Sequence, residues 1–123
     1  MIARSADGLR FETVAELHRD DFGAESFERP ALVRTGRGWR LYLSCATPNS
    51  KHWWIEAVDA ATPAELPTGR RTVVLPGSGL VGVKDPVVVR ERGGWRLWLC
   101  CHPLDVPGAE DRMTTRYLTS HDG

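Results

Sequence analysis

The feature that most constrains this chain is that it repeats itself. Phe27-Glu28-Arg29-Pro30-Ala31-Leu32-Val33-Arg34 is followed by Gly38-Trp39-Arg40-Leu41-Tyr42-Leu43-Ser44-Cys45. Val83-Lys84-Asp85-Pro86-Val87-Val88-Val89-Arg90 is followed by Gly94-Trp95-Arg96-Leu97-Trp98-Leu99-Cys100-Cys101. Pro30 and Pro86, like Trp39 and Trp95, stand 56 residues apart, and Pro, Val, Arg, Gly, Trp, Leu and Cys recur in register without a gap. Such a chain folds as similar units that bury their apolar faces against one another, because one unit cannot bury its own.

Each unit reads as antiparallel strands. Ala31 to Arg34 and Val87 to Arg90 are short, largely apolar runs behind a proline, which a strand tolerates at its start. Trp39, Leu41, Leu43 and Cys45 alternate with Arg40, Tyr42 and Ser44, the period of two that puts successive side chains on opposite faces. Tyr42 and its counterpart Trp98 are large, so both faces of this strand are expected to meet protein. Thr35-Gly36-Arg37-Gly38 and Glu91-Arg92-Gly93-Gly94 supply hairpin turns. A third strand follows in each unit, Trp53 to Val58 and Thr114 to Thr119, and a fourth, Arg71 to Leu75, completes the first. Ser5-Ala6-Asp7-Gly8 resembles Ser120-His121-Asp122-Gly123, two Asp-Gly turns, and Leu9 to Val14 reads as a strand after the first of them. Asp20-Asp21-Phe22-Gly23 favours a loop over a helix across Val14 to Glu25.

Four-stranded units of this length, repeated radially, are β-propeller blades. The expected fold is all-β: a partial propeller with residues 1–26 ending one blade, 27–82 forming a complete blade and 83–123 an incomplete one. The alternative is a small β-sandwich of about nine strands. On this reading 123 residues is a little over two blades and marks a piece of a larger propeller.

Charge and composition limit the partners. Sixteen Lys and Arg against sixteen Asp and Glu give a formal net charge of zero, which argues against a nucleic-acid groove or an anionic membrane surface. No apolar run reaches the roughly 20 residues of a membrane span. Met1-Ile2-Ala3-Arg4-Ser5 lacks the apolar stretch of a secretory signal, so a cytoplasmic location is expected. Cys45, Cys100 and Cys101 make a poor disulfide framework and contain no zinc spacing; they read as free thiols. Two biases stand out: five Trp, and 14 Arg against two Lys.

Lys84-Asp85-Pro86 entering one strand, with Gly94-Trp95-Arg96-Leu97-Trp98 in the next, resembles the five-bladed propeller glycoside hydrolases. Family 43, the arabinanases and β-xylosidases, is the nearest, and the family 32 fructosidases are similar. The stretch from Ser5 to Phe11 also looks like a blade turn of that group. The resemblance implies three carboxylates on separate blades: a base, a second Asp that orients and tunes, and a general-acid Glu. Asp85 matches the second role. Its repeat counterpart is Arg29, which cannot act as a base, so the chain departs from the family there. Glu28 stands beside Arg29 but one residue out of phase, which on a regular strand sends it to the other face.

Strand alternation predicts which residues share a rim. The starts of the first strands carry Glu28, Arg29 and Asp85. The links between second and third strands are Thr47 to His52 and His102 to Arg112. All are expected on one rim, with the Asp-Gly turns of Asp7 and Asp122 on the other. The candidate set is therefore Asp85 as catalytic carboxylate, with Arg29, Glu28, Lys51, His52, His102, Trp53 and Trp54 binding substrate, one of the two Trp as a sugar-stacking platform. No metal and no cofactor is expected. Trp39, Trp95 and Trp98 are assigned to packing between blades. The partner is a glycan or oligosaccharide, hydrolysed if the acids are complete and bound without hydrolysis if Arg29 marks their loss. The chain alone is expected to be inactive, and its open blade edges to meet further blades or to self-associate.

Overall fold

The computed structural model describes residues 1–123 and is all-β. Three antiparallel sheets contain two, four and three strands, rather than the two sheets of a sandwich. The first pairs β1 (Ile2–Arg4) with β2 (Glu12–Ala15). The second runs in chain order through β3 (Phe27–Thr35), β4 (Gly38–Ala46), β5 (Trp53–Ala60) and β6 (Arg70–Leu75). The third contains β7 (Val81–Glu91), β8 (Gly94–Pro103) and β9 (Thr114–Ser120). The segment Leu9–Phe11, expected as strand, stays outside β2 because the Asp7 carboxylate accepts the N–H groups of Leu9 and Arg10 and extends the turn. Residues 14–25 hold one 3-10 turn, Arg19–Phe22, and a second lies at Pro63–Thr68. No helix is long and apolar enough to cross a membrane.

The sequence repeat is a structural repeat in detail. Thr35 pairs with Gly38 and Glu91 with Gly94, so both first hairpins close with two-residue loops. β3 is irregular between Glu28 and Ala31, and β7 between Lys84 and Val87, the same place in each unit. The two Asp-Gly turns also match. Ser5 Oγ and Ser120 Oγ accept the N–H of Asp7 and Asp122 at 3.3 Å, and of Gly8 and Gly123 at 2.9 and 3.0 Å.

The alternation along β4 divides the core in two. Tyr42 packs with Ile55, Trp95, Leu99 and Cys101 between the second and third sheets. Leu41, Leu43 and Cys45 pack with Val58 and Leu66 on the other face, against Ile2 of the first sheet and the Phe22–Phe27 pair. Both faces of the second sheet are thus covered. The third sheet is covered on one face only. Its outer face bears Trp98, stacked on Tyr117 at 5.2 Å, with Val87 and Val89 exposed. All three cysteines are free thiols, and burial pushes Cys45 up to about 12.

Candidate functional site

The irregularities in β3 and β7 build the site. Arg29 and Asp85 each precede a proline, where extended backbone is the rule. Both instead adopt positive φ, +38° and +57°. A third non-glycine residue of this kind, Asn49 at +55°, lies in the loop between β4 and β5 on the same rim. These three are the only non-glycine residues in the chain with positive φ, and such strain costs about 1–3 kcal/mol at each position.

The bulges have a consequence that strand periodicity hides. Lys84 and Asp85 are neighbours, yet both side chains or backbones reach the second sheet. Lys84 Nζ donates to Glu28 Oε2 at 2.8 Å. The Asp85 N–H donates to Ser44 Oγ at 2.8 Å, and Arg29 Nε stands 3.8 Å from Asp85 Oδ1. Glu28 is therefore not turned to the far face of β3, as regular alternation predicts; the bulge resets the phase and brings it to the boundary between the sheets. The two contacts join repeat-related residues, Glu28 with Lys84 and Arg29 with Asp85.

Asp85 is the least ordinary group here. Its side chain is 9% exposed, and Oδ1 is buried without a hydrogen-bond partner. Arg29 at 3.8 Å balances its charge without bonding it, and the Arg29 side chain is 77% exposed. A buried acceptor left open in this way is costly unless something donates to it.

The remaining candidates divide by strand parity. Trp53 lies on the boundary side of β5, with Lys84 Nζ 4.9 Å from its ring centroid. Trp54 points to the other face, packs against the core of Leu41 and Cys45, and donates its indole N–H to Glu56 at 3.3 Å. The structure thus brings Trp53 to the rim and sets Trp54 apart from it. His52 shares a 2.7 Å hydrogen bond with Thr47 across the base of its loop. Lys51 is exposed beside it. Glu110, on the long loop after β8, is held below its ordinary value, first by nearby backbone N–H groups and then by Lys51 and His102.

His102 is 5% exposed and lies opposite Gly82 in the ladder. A Cβ on Gly82 would overlap the imidazole, with Nε2 nearest, and Nε2 has no hydrogen-bond partner. In the second sheet the same two positions are Ser26 and Ala46, joined by a 3.0 Å backbone hydrogen bond. The ring at His102 thus requires the missing side chain at Gly82. The sequence pairs these residues only once the register is known.

Burial first, then Lys84 and His52, push the His102 imidazole below its ordinary 6.5; Glu110 and Asp85 pull the other way without prevailing. The folded state therefore binds this proton less readily than the unfolded chain. Stability is unaffected by His102 above about pH 6.5 and falls as the pH drops below it, levelling off beneath the lowered folded value. Urea denaturation from pH 8 to pH 5 is expected to show this loss, and His102→Ala is expected to flatten it. A loss of equal size in His102→Ala would assign the pH dependence to other groups.

Comparison with protein-family models, curated proteins and solved structures finds no match for this chain. The rim stands on its own geometry: the carboxylates of Glu28 and Asp85, each facing a cation, two buried polar atoms without a hydrogen-bond partner, an aromatic face and two imidazoles.

Proposed function

We propose that the three sheets are consecutive blades of a β-propeller, and that the rim formed by the two bulges is its ligand-binding face. The ligand on this reading is a glycan, held by Asp85 and Trp53 with Arg29, Glu28, Lys51, His52 and His102 around them. The observation that carries the reading is the convergence at Asp85. Backbone strain, a repeat-built bulge and an unfilled buried acceptor meet at one residue, and its neighbour Lys84 lies over the half-buried Trp53 ring. A sugar hydroxyl supplies the missing donor, and a pyranose or furanose face packs on Trp53.

Binding is favoured over hydrolysis for these residues. Glycoside hydrolysis needs a carboxylic acid and a carboxylate on the two sides of the scissile bond. The carboxylates at the bulges are Glu28 and Asp85, and both face cations. Asp85 takes the orienting role that its resemblance to the family 43 motif implies, and catalysis would require an acid that these two residues do not provide.

Titration with arabino-, xylo- and fructo-oligosaccharides, followed by Trp fluorescence and calorimetry, tests this. Asp85→Asn and Trp53→Ala are each expected to weaken binding about tenfold or more, the equivalent of about 1.4 kcal/mol. Trp54→Phe, on the far face of β5, is expected to leave affinity unchanged. No binding by any of the three sugar classes, or equal binding by Asp85→Asn and wild type, would sink the proposal.

A further inference from the structure

The rim opposite the bulges holds a second polar concavity where the second and third sheets meet, an open hollow of about 620 Å³. Four of the chain's 14 Arg converge on it: Arg37 from the β3–β4 turn, Arg40 from β4, Arg70 from β6 and Arg90 from β7. Only two side-chain carboxylates, Asp59 and Asp122, lie among them.

Both carboxylates are already engaged. Asp59 accepts Arg40 through two bonds, Nε at 2.7 Å and Nη2 at 3.1 Å, and Arg70 Nη2 at 3.0 Å. Asp122 accepts the Ser120 hydroxyl at 2.9 Å within its turn, and its backbone carbonyl accepts Arg40 Nη1 at 2.9 Å. Arg37 and Arg90 make no ion pair. Two guanidinium groups are therefore left without a side-chain ion-pair partner in one hollow of a chain whose net charge is zero.

We propose that this hollow is an oxyanion-binding site, taking a compact carboxylate, phosphate or sulfate group between Arg37 and Arg90. The guanidinium fork suits such groups because two parallel N–H donors match two oxygens, a geometry that lysine lacks. The Arg90 fork has one support, the Trp95 ring. Arg90 lies over the Trp95 ring at 5.7 Å from the centroid, and Arg40 stands 5.6 Å from the same ring. Arg90 Nη2 is 3.6 Å from where a Gly36 side chain would begin, ordinary contact distance, so the guanidinium lies against the β3–β4 turn. The Thr35 hydroxyl oxygen accepts the Arg37 N–H at 3.2 Å, which leaves its proton free to donate into the hollow. Two like charges brought together are relieved when an anion arrives between them. The site is independent of the sugar reading of the other rim.

The test is titration with inorganic phosphate, sulfate and galacturonate at low ionic strength, followed by the arginine Nε–H resonances and Trp fluorescence. Saturable binding of at least one anion is expected, weakened about tenfold or more by Arg37→Gln and by Arg90→Gln. Both positions are exposed, so the variants are expected to fold, with stability equal to or above wild type because an unpaired like charge is removed. The strongest of the three anions identifies the group. Arg112→Gln, an exposed arginine outside the hollow, is expected to bind as wild type. The proposal is overturned if no anion binds saturably, or if Arg112→Gln weakens binding as much as the hollow variants do.

Discussion

Gly38→Ala is expected to cost about 3 kcal/mol or more, much of the stability of a domain this size. Gly38 closes the β3–β4 hairpin at φ +142°, a conformation that L side chains rarely adopt. Its Cβ would also overlap the Ala60 carbonyl oxygen and lie 2.8 Å from Ala61 Cα. Neither obstacle is the end of a flexible side chain, so the hairpin itself must shift, and it carries Arg40 and Tyr42 with it. Gly94 is the repeat counterpart at φ +146°, but the nearest atom its Cβ would meet is Ser120 O at 2.7 Å. Gly94→Ala is expected to cost less, about 1–3 kcal/mol. Denaturant midpoints at constant m-value measure both. Equal and small effects would mean that the two hairpins do not have this geometry.

Tyr42→Ala is expected to cost about 3–5 kcal/mol, and Trp98→Ala well under half of that. The two residues are repeat-equivalent, and the indole is the larger side chain. Their surroundings, not their sizes, set the order. Tyr42 is 2% exposed, edge-on to Trp95 with ring centroids 6.4 Å apart, and it fills the boundary between the second and third sheets. Trp98 faces outward from the third sheet and meets only its strand neighbours, chiefly Tyr117. If Trp98→Ala proves the more damaging, its face is covered in solution, and the oligomeric state measured by light scattering would show by what.

Much of the architecture was legible in the sequence because it rests on periodicity. The offset of 56 residues gave the equivalence of the second and third sheets. The alternation of Leu41, Leu43 and Cys45 with Arg40, Tyr42 and Ser44 gave a strand with two protein-facing sides, and the structure puts Leu41, Leu43 and Cys45 in one core and Tyr42 in the other. The site was less legible. The rule that a residue before proline is extended conceals the positive φ at Arg29 and Asp85, and with it the phase reset that delivers Glu28 to Lys84. Trp53 and Trp54 could not be separated without the register of β5, since adjacent residues differ only in the face they take. The hollow around Asp59 was missed because its four arginines come from four strands and turns. The bias of 14 Arg to two Lys was its sole trace in the sequence.

The pairing of His102 with Gly82 bears on how this rim can change over evolutionary time. In the second sheet the corresponding pair, Ser26 and Ala46, is small on both sides, and the backbone runs the same way. Passing from one arrangement to the other takes two substitutions, and the order matters. A histidine arriving first collides with whatever side chain occupies the opposite position; a glycine arriving first only loosens the strand. The permissive path runs through glycine, and the return path must shed the imidazole before the glycine can be refilled. Once the ring is in place it acts as a ratchet on the glycine: drift at Gly82 alone is closed off, and only a smaller residue at position 102 reopens it.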